Sequence, residues 1–162
     1  MDTANQLEIR DIVPSDLGAL ASMFVECFSK APWSEPWTLE AATNRLHLFA
    51  STPTFRGAIA TEAGQAVAMA MGQVEGWLDG NLCLLQEMCV SPSRQRLGVG
   101  AKILGYLLDR VASTDQVRSS YLLTDASSRA ESFYLQRGFR RSDAKIVLGC
   151  GLKQWPVRGG AA

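Results

Sequence analysis

The richest chemistry in this 162-residue chain sits in a glycine turn, Val90-Ser91-Pro92-Ser93-Arg94-Gln95-Arg96-Leu97-Gly98-Val99-Gly100-Ala101. An apolar, strand-like run from Leu82 to Val90 precedes it. A helical pattern follows, with Val99, Ile103, Leu104, Leu107, Leu108 and Val111 on one face. The first N–H groups of a helix have no partner inside it, and the helix dipole places partial positive charge there. Such a turn is an anion site. Gly98 and Gly100 lack a Cβ, so a phosphate can approach the backbone closely. Arg94, Arg96 and Lys102 add positive charge. The expected ligand is a phosphate or pyrophosphate of a cofactor, although the turn alone also reads as an ordinary helix start.

Two further groups of residues can do chemistry. Glu87 is the one carboxylate in the Leu82 to Val90 run. Burying it without a role is costly. It can act as a general base, hold an ammonium group, or face solvent on an alternating strand; Gln86 beside it blurs the parity. Trp33, Glu35 and Trp37 place two tryptophans around a carboxylate. That trio suits a cationic or amphipathic amine through charge and cation–π contacts. The plain alternative is that the tryptophans anchor a loop to the core. Cys89 is a conceivable nucleophile but has no sequence-evident base.

The spacing of the turn narrows the cofactor. A dinucleotide fingerprint needs a third glycine where Ile103 stands, and a Walker loop needs Gly-Lys followed by Ser or Thr, which the chain lacks. What remains, Gln95-Arg96-Leu97-Gly98-Val99-Gly100, resembles the Gln/Arg-x-x-Gly-x-Gly/Ala signature of the GNAT superfamily of N-acetyltransferases. Val90-Ser91-Pro92 extends the likeness upstream. Ser132-Phe133-Tyr134-Leu135-Gln136-Arg137-Gly138-Phe139 resembles the family's Phe-Tyr-x-x-x-Gly-Phe downstream.

The resemblance implies acetyl-coenzyme A as cofactor, its pyrophosphate held by Gln95, Arg96, Leu97, Gly98, Val99, Gly100 and Ala101. It implies that the main chain of Met88, Cys89 and Val90 pairs with the pantetheine arm in a gap between splayed fourth and fifth strands. It places the Tyr134 hydroxyl near the cofactor sulfur, as the acid for the leaving thiolate; without the family motif Tyr134 reads as a core or surface tyrosine. Many members carry Asn seven residues before that tyrosine, where this chain has Ser127. Ser127 keeps a cofactor contact but offers fewer hydrogen bonds toward a substrate. The resemblance also implies that the loop holding Trp33, Glu35 and Trp37 borders the acceptor pocket and that the Leu82 to Val90 run, with Glu87 as a base or amine-binding candidate, lines the thioester site.

Acetyl transfer to an amine asks little of a protein. An alkylamine has a pKa of about 10.4, so roughly one molecule in a thousand is neutral at pH 7. A base or a desolvating site helps it attack. A donor must meet the developing oxyanion, and positioning supplies the rest. The expected acceptor is a small-molecule amine. A peptide or protein N-terminus or lysine is the alternative, as is a non-catalytic coenzyme A sensor.

Composition agrees. Hydrophobic residues make up 47% and charged residues 20%, which reads as one soluble globular domain over 1–162. Sixteen basic and 16 acidic residues give zero net charge, so no nucleic-acid partner is expected. No apolar run reaches membrane-spanning length, so no membrane partner is expected. The first residues carry no secretory pattern. Cys27, Cys83, Cys89 and Cys150 are scattered, and the single His completes no metal site. The expectation is a cytoplasmic protein with reduced thiols and no metal, and a homodimer is possible.

The elements that must position these residues follow from pattern. Leu7 to Ile12 reads as a strand. Pro14 starts a helix with a stripe of Leu17, Leu20, Ala21, Phe24, Val25 and Phe28. Ser29 to Trp37 is a loop, and Thr38 caps a helix carrying Leu39, Ala42, Leu46 and Phe49. Phe55 to Glu62 and Gln65 to Trp77 are strands around Ala63-Gly64, and Asp79-Gly80-Asn81 turns into the Leu82 strand. Ser120 to Thr124 is a strand. Ser128 and Glu131 form a capping box for a last helix, which Gly138 ends. Phe139 to Arg141 and Ala144 to Gly151 complete the strands. Residues 1–5 and 156–162 are expected to fray. The order predicts an α+β fold, an α/β/α sandwich around a mixed, largely antiparallel GNAT-like sheet with about four helices.

Overall fold

Hairpin turns set the first half of the sheet. In the computed structural model, which describes residues 6–151, Ala63 and Gly64 both take positive φ, at 47° and 76°. That is the geometry that keeps two strands in step with their natural twist. It joins β2 (Phe55–Glu62) to β3 (Gln65–Glu75). β1 (Glu8–Asp11) pairs antiparallel with β2, and β4 (Asn81–Val90) pairs antiparallel with β3. β5 (Val117–Leu122) lies parallel to β4, as the intervening crossover helix α3 (Val99–Thr114) requires. The sheet runs β1-β2-β3-β4-β5.

Helices cover both faces. α1 (Leu17–Phe28) and α2 (Leu39–Ala50) bury Leu20, Phe24 and Leu46 against Ile59, Met69, Met71 and Cys89. α3 turns Ile103, Leu104, Leu107 and Val111 inward and packs on β2, β3, β4 and β5. Thr38 caps α2, its Oγ1 accepting the Ala41 N–H at 3.1 Å. This is the mixed, mostly antiparallel sheet with four helices that the element order predicts; the fourth is α4 (Arg129–Leu135).

β4 and β5 pair only from Asn81↔Val117 to Leu85↔Leu122. From Gln86 to Val90, β4 runs on without a β5 neighbour. This parting of the fourth and fifth strands is what the family resemblance implies.

Three expectations need correction. β3 ends at Glu75, so Gly76 to Gly80 form a longer loop with Trp77 exposed. β5 begins at Val117 and ends at Leu122, earlier than read from the sequence. Phe139 to Arg141 and Ala144 to Gly151 form no strands. A strand needs a neighbour for its N–H and C=O groups, and among the described residues neither stretch has one. Ile146, Val147 and Leu148 are accordingly exposed. The expected frayed ends, 1–5 and 156–162, lie outside the described residues.

The chain forms two compact units, one ending at Asp125 and one beginning at Ala126. Among the described residues no helix is long and apolar enough to cross a membrane.

Candidate active site

The entry to α3 is built as the glycine turn predicts. Gly98 is the N-cap, with φ 80° in the left-handed region, where a side chain is strained. A Cβ placed on Gly98 meets nothing within 4 Å, so the space in front of the turn is open. The Lys102 N–H is the first to bond within the helix, to the Gly98 carbonyl at 3.2 Å. The preceding amides of Val99, Gly100 and Ala101 are therefore left for an anion. Gln95 Nε2 donates to the Val90 carbonyl at 3.0 Å and straps the loop to the end of β4. Arg96 and Lys102 are exposed and make no ion pair among the described residues. Arg94 differs from expectation: its guanidinium is committed to Glu62.

Glu87 is buried, at 7% exposure, and a β-bulge explains how. Leu85 pairs with Gly72, and Glu87 pairs with Met71. Gln86 is the extra residue. The insertion reverses the alternation, so Glu87 and Cys89 share the face of Met69 and Met71 beneath α1 and α2. Gly72 is required there, since a Cβ would lie 2.9 Å from both Cys83 Sγ and the Leu84 carbonyl oxygen. Gln86 Oε1 is buried without a hydrogen-bond partner among the described residues.

Arg45 of α2 meets Glu87. Its Nε donates to Glu87 Oε1 at 2.7 Å, and its Nη2 pairs with the same oxygen. Among the described residues Glu87 Oε2 makes no such bond. Burial pushes the Glu87 carboxyl above its usual range; Arg45 opposes that, and the like charge of Glu35 adds to it. Sequence reasoning missed Arg45. Its signal was a charged residue one turn before Phe49, at the margin of the apolar stripe of α2.

The loop before α2 brings the substrate-side candidates to the same place. The Trp37 ring stands edge-on to Phe24 at 4.9 Å, and Trp33 lies 5.9 Å from Phe28. The tryptophans therefore do anchor the loop to the core. Their other edges stay partly exposed. Trp37 Nε1 donates to Glu35 Oε2. The Arg45 guanidinium sits 5.6 Å from the Trp37 ring and 4.9 Å from the Phe49 ring. Glu35, Trp37, Arg45 and Glu87 are thus one connected cluster, with Trp33 on the same loop.

Cys89 is buried, and Cys27 of α1 donates to the neighbouring Val90 carbonyl at 3.4 Å. The neighbouring Cys27 thiol and burial hold the Cys89 thiol above its usual range, while the proximity of Cys89 lowers Cys27. A buried thiol kept protonated is a poor nucleophile.

In the second unit, Ser128 Oγ caps α4 by accepting the Glu131 N–H at 3.0 Å. Glu131 reaches back to the Ser127 N–H at 2.6 Å, not to Ser128 as the capping box predicts. Ser127 has φ 61°, which swings its amide toward the helix start. Tyr134 is half-buried, edge-on to Phe133 at 5.2 Å and Phe139 at 5.5 Å. Gly138 closes the helix with φ 89°.

A cleft of about 460 Å³ lies elsewhere, lined by β1, β2 and α3. Its charges are spent on one another: Arg110 and Tyr106 bind Asp11, and Arg56 binds Asp115. It offers no uncommitted acid or base.

The chain matches the model of the acetyltransferase (GNAT) domain over residues 53–141. No curated protein matches it. Solved structures share the fold. A possible acetyltransferase from Clostridium difficile 630 superposes with a TM-score of 0.75 at 18% identity, covering 90% of this chain and 98% of its own. An aminoglycoside N-acetyltransferase in complex with CoA gives 0.72 at 15%, covering 91% and 96%. An aminoglycoside acetyltransferase from an uncultured soil metagenomic sample, in complex with sisomicin, gives 0.67 at 15%, covering 90% and 95%.

Proposed function

The chain belongs to the GNAT family of acetyltransferases, and we propose that it moves an acetyl group from acetyl-CoA to the amine of a small molecule, by direct attack in a ternary complex. The family uses acetyl-CoA. The open glycine turn at the start of α3 fits such a cofactor, with backbone amides from Val99 to Ala101 and the charges of Arg96 and Lys102 for its pyrophosphate. Gln95, Leu97 and Gly98 shape that turn. The stretch of β4 over Met88, Cys89 and Val90, which continues past the last β5 pairing, suits the arm. When bound, the cofactor supplies an activated acyl group.

The observation that carries the reading is Glu87: a buried carboxylate with one oxygen still available, three residues before the end of the strand that feeds the anion turn. Glu87 Oε2 holds the acceptor's ammonium group and takes its proton, directly or through water. Burial favours this, because it raises the carboxylate's proton affinity. Arg45 keeps the group ionised enough to accept. Glu35 and the rings of Trp33 and Trp37 orient the amine. Tyr134, at the position of the family's tyrosine, is the proposed acid for the leaving thiolate, its proton made good by the second proton that the amine nitrogen sheds as the amide forms; Ser127 lies in the same motif. Cys89 takes no covalent part. The neighbours solved with aminoglycosides favour a small-molecule acceptor over a protein.

The test is release of free coenzyme A across a panel of amines at saturating acetyl-CoA. Amine-dependent release supports the reading. Binding of acetyl-CoA with no release for any amine would reduce the protein to a coenzyme A sensor.

A further inference from the structure

We propose that the acceptor is a primary monoamine carrying an apolar or aromatic body, rather than a polycation. The inference rests on the reading above and adds the charge and shape of the acceptor. The cluster contains two carboxylates, Glu35 and Glu87, and one guanidinium, Arg45. Arg45 is spent on Glu87 through both Nε and Nη2. Glu35 makes no ion pair among the described residues; its one side-chain bond is from the neutral indole of Trp37. The sum is a single unbalanced negative charge, which one ammonium group neutralises.

The carboxylates nearby do not supply more. Glu26 is paired with Lys30 at 3.8 Å. Glu40 lies in the first turn of α2, where the helix N-terminus offsets its charge. Arg45 itself repels further positive charge, since its side chain is still 40% exposed. A polycation would bury its second and third ammonium groups against a guanidinium and aromatic rings, without counter-charge.

The rest of the cluster is aromatic. Trp37 and Phe49 flank Arg45, and Trp33 lies on the same loop as Trp37. Their exposed edges reward an apolar or aromatic body by burial and ring contacts.

The experiment compares kcat/KM of the wild-type enzyme for 2-phenylethylamine, hexylamine, spermidine and sisomicin, with acetyl-CoA saturating. The monoamines should exceed spermidine and sisomicin by about tenfold or more, the factor of one charge contact of about 1.4 kcal/mol. Glu35→Gln keeps an oxygen for the Trp37 indole and removes only the charge. It should raise KM for 2-phenylethylamine several-fold, with acetyl-CoA affinity unchanged. A preference for spermidine or sisomicin overturns the inference and leaves the acetyltransferase reading standing. An unchanged KM in Glu35→Gln also overturns it. Absence of turnover with all four amines, in protein that binds acetyl-CoA, overturns both.

Discussion

Arg45 and Glu87, 42 residues apart, meet through two donors on one oxygen: Arg45 Nε and Nη2 both address Glu87 Oε1. The other carboxylate oxygen is thereby kept for a different donor. A buried carboxylate left alone would be neutralised by protonation. One paired on both oxygens would be inert. This arrangement lies between the two, which supports the proposed role of Glu87 as proton acceptor.

The pH–rate profile follows from that balance. On the proposed reading activity should rise as Glu87 loses its proton, and burial sets this above the ordinary carboxylate range. Glu87→Gln should flatten that rise, because an amide accepts no proton. Arg45→Met removes the group that lowers the Glu87 pKa, so the rising limb should move to higher pH. A profile of kcat/KM that is unchanged in both variants would return Glu87 to a packing role.

Gly98 is held at φ 80° with open space before it. Gly98→Val should abolish acetyl-CoA binding in a calorimetric titration, and cost about 1–2 kcal/mol of stability from the left-handed backbone alone. Gly98→Ala should keep the strain with less obstruction, and so bind weakly. Equal affinity in wild type and Gly98→Val would place the anion elsewhere.

Much of this was legible beforehand. The glycine turn, the Thr38 cap and the hairpin at Ala63-Gly64 are local signals, carried by residues that specify their own backbone. The bulge at Gln86 was not legible. It depends on Gly72 of a different strand, and it decides which way Glu87 points. Arg45 was missed for a related reason: its partner lies on another element. The Ala144 to Gly151 strand was over-read, because an apolar run shows strand propensity without showing a neighbour. Tyr134 and Ser127 are candidates through the family motif, not through their own chemistry.

Gly72→Ala tests the bulge. The new Cβ would fall 2.9 Å from Cys83 Sγ and from the Leu84 carbonyl oxygen, so one of them must move. The expected cost is about 1–3 kcal/mol, typical of overpacking, read as a lower midpoint in denaturant. Turnover should fall with it, as Glu87 loses its orientation. A neutral substitution would mean that the β3–β4 pairing is more pliant than its register indicates.

Tyr134→Phe deletes a hydroxyl and keeps the ring contacts with Phe133 and Phe139. Acetyl-CoA affinity should hold while kcat falls about 10²- to 10⁴-fold, the range for losing a positioned acid. A change confined to the amine KM would make Tyr134 a binding residue.

The central claim is direct acetyl transfer to an amine within a ternary complex. It is tested most directly by initial velocities over a grid of acetyl-CoA and 2-phenylethylamine concentrations, with the product identified by mass. The account predicts N-acetylated amine and an intersecting pattern of double-reciprocal lines. Parallel lines would place the acetyl group on the protein first and revive Cys89, and the absence of acetylated amine at any concentration would contradict the account outright.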